Sequence, residues 1–215
     1  MIMTRPDYAH RVEALAGTWR NWGMLGQSMN DAGWAAATRC PGWNVAALYA
    51  HHSQFPVAMS AAPPPSPANP AGEPLTAAEL LRRFNAPGGL AAASAAAVAE
   101  QAVAEADRSG HDRLVEHFTV TAPAVVGRLR AADPDLVVPW PGADTGLRLA
   151  EALRIVLLEA TVHLLDAQRA LDREPSVPAE ALQCTAGLLA ELAPAVEFIE
   201  AATGRSGASP FPVLR

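Results

Sequence analysis

The chain has 215 residues, of which 50% are hydrophobic, 18% charged and 6% aromatic, and it carries a formal net charge of -6. Its length allows one substantial core, and its alanine-rich apolar content favours closely packed helices over sheets. The acidic balance without a basic run argues against nucleic acid, two cysteines make no disulfide framework, the charged start lacks a signal-peptide apolar run, and no stretch reads as a membrane span.

A cytoplasmic protein with a small-molecule partner, neither nucleic-acid nor membrane bound, and monomeric or homodimeric, is therefore expected. A first helix is expected from about Asp7 to Ala36, loosened at Gly23 and Gly33. Cys40-Pro41-Gly42-Trp43 reads as a turn, after which Asn44 caps a second helix running to about Phe55, where Pro56 ends or kinks it. Ala61 to Pro74 holds six prolines and reads as an irregular loop. Thr76 with Glu79 forms a capping box for a third helical region, which Pro87-Gly88-Gly89 interrupts and which resumes to about Asp107. A helix over about Asp112 to Ala131 must tolerate Pro123, and Asp133 to Gly146 reads as a loop containing Pro139-Trp140-Pro141-Gly142. Glu151 to Asp172, free of Pro and Gly, reads as one long helix. Pro178 to Ala202 is a last helix kinked at Pro194, followed by an extended or coiled tail. No internal repeat is evident. The pattern implies an all-α helical bundle forming one domain over residues 1–215, with the core bundle through about residue 172 and a C-terminal helix and tail beyond it.

The most informative stretch is Glu159-Ala160-Thr161-Val162-His163. At about 100° per residue, Glu151, Arg154, Thr161, Gln168, Arg169 and Asp172 cluster on one side of their helix, expected to be the solvated one. Glu159 and His163 lie on roughly the opposite side with Val156 and Ala167, and Asp166 is nearby. A carboxylate and an imidazole one turn apart, turned inward, need a partner, because burying them alone costs several kcal/mol. They can bond each other or a core arginine, or together hold a metal ion. The second helix offers His51 and His52; periodicity alone prefers His52, which shares a face with Val45 and Leu48. Asp166 can orient a ligand, act as a general base or pair with a core arginine. Arg82 and Arg83 can bind a carboxylate of a cofactor or substrate, or simply form a solvated helix face. Cys40 sits at a helix start, where a thiolate is favoured, or serves as a small residue in a tight turn. His10, His111 and His117 fit no ligand spacing, and Trp43 and Trp140 are expected to pack the bundle ends.

Cys40-Pro41-Gly42-Trp43 followed by Val45, Leu48 and His51, then Val138-Pro139-Trp140-Pro141-Gly142 and Glu159-x-x-x-His163-x-x-Asp166, resembles the mycothiol-dependent maleylpyruvate isomerase-like proteins. These belong to the wider DinB-like superfamily of metal-binding four-helix bundles. Ala202-Thr203-Gly204-Arg205 and the closing Pro212-Val213-Leu214-Arg215 look like an ending common in short members. The resemblance implies a DinB-like four-helix bundle with extra helices and a long proline-rich loop. It implies His51, Glu159 and His163 as metal ligands, and its spacing from Trp43 selects His51 over His52. Zinc is the first expectation for such a donor set, and nickel, cobalt or iron accept the same ligands. The implied activity is metal-dependent activation of a low-molecular-weight thiol such as mycothiol, for transfer to, or isomerisation of, a small electrophile. Larger members carry a further C-terminal domain, for which the stretch after Leu171 is too short, so an electrophile other than maleylpyruvate is equally expected. A metal-dependent lyase, cyclase or hydrolase working without thiol, and a non-catalytic metal-binding stress protein, are the competing readings.

Overall fold

The computed structural model describes residues 5–61, 72–205 and 209–214. Helix α1 spans Arg5–Gln27 and is followed by the short α2, Asp31–Ala35, whose N-terminus is capped by Asn30 through the Gly33 N–H. The first helix is thus two helices, broken between Gln27 and Asp31 rather than loosened in place. Trp43 N–H bonds back to the Cys40 carbonyl at 3.0 Å across Pro41 and Gly42. Gly42 sits at φ 81°, the left-handed conformation that the third position of such a turn needs. Asn44 then caps α3, Val45–Ala61, by accepting the Ala47 N–H at 2.9 Å.

Helix α3 continues through Pro56, contrary to the expected stop. Proline removes one intrahelical N–H, but Pro56 is buried and packing carries the helix past the gap. The expected loop after Ala61 falls mostly on residues 62–71, outside the described part. The Thr76–Glu79 capping box starts α4, Ala77–Asn85, and Gly88 and Gly89 separate it from α5, Leu90–Glu116. Gly110 interrupts α5 with φ 69°. A π-helical turn, His117–Thr121, then leads into α6, Ala122–Ala131. Pro123 sits in the first turn of α6, where its missing N–H matters least.

The expected loop over residues 133–146 is instead partly a β-hairpin: β1, Val137–Trp140, pairs antiparallel with β2, Ala143–Arg148, around Pro141-Gly142. Helix α7, Leu149–Ala170, follows directly, then α8, Ala179–Leu192, and α9, Ala195–Ala202, separated at Pro194. The long helices α1, α3, α5 with α6, and α7 pack side by side as the bundle, and α4 and α8 lie against its α7 side. The fold is therefore all-α apart from one small hairpin, consistent with the DinB-like bundle. No described helix is long and apolar enough to cross a membrane.

Trp19, Trp22, Tyr49 and Phe118 are fully buried at the bundle centre. Trp22 meets Tyr49 edge-on at 4.6 Å and stacks on Phe118 at 5.3 Å. Their polar tips are satisfied: Trp22 Nε1 donates to the Ala160 carbonyl at 3.0 Å and the Tyr49 hydroxyl to the Trp22 carbonyl at 2.9 Å. A second apolar cluster of Leu75, Leu80, Leu147, Ile155, Leu158 and Leu188 ties α4, the hairpin and α8 onto α7.

The face of α7 expected to be solvated is exposed at Arg169 and at Asp172 just beyond the helix, but covered along the rest of its length. Thr161 and Gln168 are buried, and Glu151 and Arg154 are largely enclosed. Arg154 pairs with Glu151 at 3.1 Å and Glu191 of α8 at 2.5 Å, Glu151 accepts the Ala77 N–H, and Gln168 bonds both backbone groups of Ser176. These polar residues meet α4, α8 and the segment before α8, not water.

Candidate metal centre

The Glu159/His163 side of α7 is partly exposed where it meets α3. The i, i+4 spacing brings Glu159 Oε2 to 3.3 Å from His163 Nε2. From α3, His51 Nε2 lies 3.9 Å from the same carboxylate oxygen. The three side chains are 20%, 27% and 16% exposed for His51, Glu159 and His163, so solvent reaches them from one side. One donor atom from each lies within 4.8 Å of the others. Tetrahedral bonds of zinc length would set nitrogen–oxygen separations of about 3.4 Å. The observed pair distances lie at that value or about half an ångström beyond it, so the residues fit a small divalent ion.

Electrostatics agree with the geometry. Burial pushes the Glu159 carboxyl up, but hydrogen bonds and charge from His163 and His51 outweigh it and hold the group well below the usual carboxylate range. Burial pushes the His163 imidazolium down, but contacts with Asp166, Cys40 and Glu159 outweigh it and hold it well above its ordinary value. His163 Nδ1 lies 3.2 Å from Asp166 Oδ2. Burial also pushes the Asp166 carboxyl up, and His163 and Arg39 more than reverse that. Arg39 donates through Nε and Nη2 to Asp166 Oδ1 at 3.1 and 2.6 Å. An ionised carboxylate thus fixes the orientation of the His163 ring, leaving Nε2 facing Glu159 and His51.

His52 lies elsewhere. It is fully buried, accepts from Trp19 Nε1 at 3.1 Å, and stacks on Trp22 and Phe118. Burial, then charge on His163 and His51, hold it well below its ordinary value, so it is a neutral core residue. Periodicity correctly found the buried histidine; the histidine beside Glu159 is the half-buried one.

Residues 15–168 match the mycothiol maleylpyruvate isomerase N-terminal domain. The chain belongs to that family. The matched span contains His51, Glu159, His163 and Asp166 together, and the family's name ties it to isomerase-type chemistry in mycothiol pathways. No curated protein and no solved structure matches the chain.

In this maleylpyruvate isomerase-family chain, Arg82 and Arg83 are exposed on α4, and Arg82 donates to the Glu191 carbonyl of α8. Among the described residues, neither pairs with Glu159, whose ion-pair partners are His51 and His163. Sequence reasoning missed two neighbours of the site. Trp43 packs at the start of α3 as expected, and its ring also lies against His51 at 4.9 Å and His163 at 6.1 Å. Arg39, 127 positions from Asp166, supplies the guanidinium that a buried aspartate needs. The one signal for it was that requirement, which names a residue type but no position.

Proposed function

We propose that this protein is a metal-dependent enzyme that uses a low-molecular-weight thiol of the mycothiol kind, transferring it to a small electrophile or using it to isomerise one. The observation that carries the reading is the convergence of His51, Glu159 and His163 at a solvent-accessible mouth. Two imidazoles and one carboxylate leave positions free for an exchangeable ligand, whereas purely structural sites are closed by four protein ligands. A divalent ion held there, zinc first and nickel, cobalt or iron by the same donors, would lower the pKa of a bound thiol enough to supply a thiolate near neutral pH.

The chain's own residues set up that chemistry. Glu159 contributes the negative charge that balances a dication. Asp166 acts through His163, as a positioning residue that holds Nδ1–H and keeps Nε2 turned to the mouth. Arg39 clamps Asp166 from solvent. The Trp43 ring walls the mouth beside both histidines and limits water there.

The His51–Glu159–His163 position should hold about one divalent ion per chain, and turnover of an electrophile panel should require both that ion and added mycothiol or a similar thiol. His51→Ala should remove the ion of that position and activity together. Absence of metal, with no thermal shift on adding zinc, nickel or cobalt, would refute the metal reading; full-rate turnover without thiol would refute the thiol reading.

A further inference from the structure

His163 has two ring nitrogens, and only Nε2 faces His51 and Glu159. Its Nδ1 faces another set of donors. Asp166 Oδ2 lies 3.2 Å from Nδ1 and 3.6 Å from Cys40 Sγ, and the three donor atoms lie within 4.8 Å of one another. We infer that Cys40, His163 and Asp166 form a separate position for a thiophilic divalent ion, beside the His51–Glu159 position and sharing the His163 ring with it.

Bond lengths of about 2.3 Å to sulfur and about 2.0–2.2 Å to nitrogen and oxygen, at tetrahedral angles, separate donors by about 3.5 Å for sulfur and oxygen and about 3.4 Å for nitrogen and oxygen. Both observed separations fall within a few tenths of an ångström of these. An ion there would release the Cys40 thiol proton and the His163 Nδ1 proton to solvent, and with both positions filled the ring would bridge them as an imidazolate. Charge also fits. A thiolate and a carboxylate oppose the dication, and Arg39 engages Asp166 Oδ1, leaving Oδ2 turned to Cys40 and His163.

The loop that carries Cys40 is held in place. The Thr38 hydroxyl accepts the Cys40 N–H at 3.1 Å and donates to the Trp43 carbonyl at 3.0 Å, closing the turn around Gly42. Cys40 is half-buried and Arg39 is 62% exposed, so an ion can enter from solvent. The two donor sets differ in chemistry. His51, Glu159 and His163 are nitrogen and oxygen donors, whereas the Cys40 set includes sulfur and selects softer ions such as cadmium or zinc. This inference does not depend on the thiol-transfer reading, because it uses the other nitrogen of His163 and requires no turnover.

Cadmium alone tests it, followed through the ultraviolet thiolate-to-cadmium charge-transfer band. The wild-type protein should develop the band, and His51→Ala/Glu159→Gln should keep it while losing the first position. Cys40→Ser should lose the band and Cys184→Ser should keep it. In unmutated protein, cadmium should slow alkylation of Cys40, but not of Cys184, read by mass spectrometry. A wild-type protein without the band, or a band that survives in Cys40→Ser, would overturn the inference. Loss of the band in His51→Ala/Glu159→Gln would also overturn it, by making Cys40 a fourth ligand of the first position. Equal slowing of alkylation at both cysteines would do the same without relying on any variant.

Discussion

His51 and His52 are adjacent, yet truncating each should damage a different property. The His52 ring is fully buried, stacks on Trp22 at 5.0 Å and on Phe118 at 5.6 Å, and accepts the Trp19 indole N–H. Truncating a buried ring costs ~3–5 kcal/mol, to which the stranded Trp19 N–H contributes ~1–3 kcal/mol. His52 Nδ1 is itself buried without a partner, so part of its present cost is relieved on removal. A loss of about 3 kcal/mol is therefore expected for His52→Ala, or roughly 6–12 °C in Tm for a chain of this size. His51 is 20% exposed at the mouth, and its loss should cost under ~1 kcal/mol. Thermal unfolding in chelator measures the first property and calorimetric zinc titration the second. Both made with Cys40→Ser so that one ion position is scored, His51→Ala should lose zinc binding and keep its Tm, and His52→Ala should lose Tm and keep zinc binding while folded. The reverse pattern would refute the assignment. The pH dependence has a definite sign. His52 titrates well below its ordinary value when folded and near 6.5 when unfolded, so below about pH 6.5 the unfolded chain binds the extra proton. Its contribution is complete above that pH and is lost on acidification, so the Tm gap between wild type and His52→Ala should narrow in acid.

Zinc affinity should rise with pH, up to about tenfold per unit, because the raised His163 value means an ion must displace a proton from Nε2; titrations in buffers of different ionisation enthalpy should show proton release on binding, and a flat profile would contradict this. Asp166→Asn, made with Cys40→Ser so that one ion position is scored, should weaken zinc binding ~10–100-fold by calorimetry. Metal-free protein should stay helical and unfold cooperatively by circular dichroism, since the core of Trp19, Trp22, Tyr49 and Phe118 does not use the site; unfolding on chelation would make the ion structural. Gly26→Ala should cost ~1–3 kcal/mol in denaturant unfolding, because its Cβ would stand 2.6 Å from Val115 Cγ2 and 3.2 Å from the Tyr49 ring.

Local chemistry made much of the fold legible. Asn44 and Thr76 with Glu79 announce helix starts because their side chains satisfy backbone N–H groups within three residues. What stayed hidden depends on tertiary partners. Pro56 lacks a helical N–H but is held by packing around α3. The hairpin is two short strands, one containing Pro139, and its pairing with a partner a few residues on outweighs weak local preference. Thr161 and Gln168 read as surface residues by type, and become interior ones because α8 and the segment before it cover that side of α7.

The same logic explains why periodicity picked out the histidine of α3 that does not lie beside Glu159. Periodicity ranks positions by burial, and a metal site that must admit a substrate cannot sit at the most buried rank. His52 follows Val45 and Leu48 into the core, where it can only be neutral, stacked and enclosed. His51 is turned off that face, and this brings its Nε2 to Glu159 while leaving a path to solvent. Glu159 and His163 obey the same rule on α7, half-buried beside the fully buried Ala160 and Leu164. In an amphipathic bundle, ligands for an open site therefore belong at the edge of the apolar stripe, one position from its centre. Spacing from a fixed turn, here Cys40 to Trp43, locates that edge better than the stripe itself, because the Trp43 ring it positions packs directly on His51.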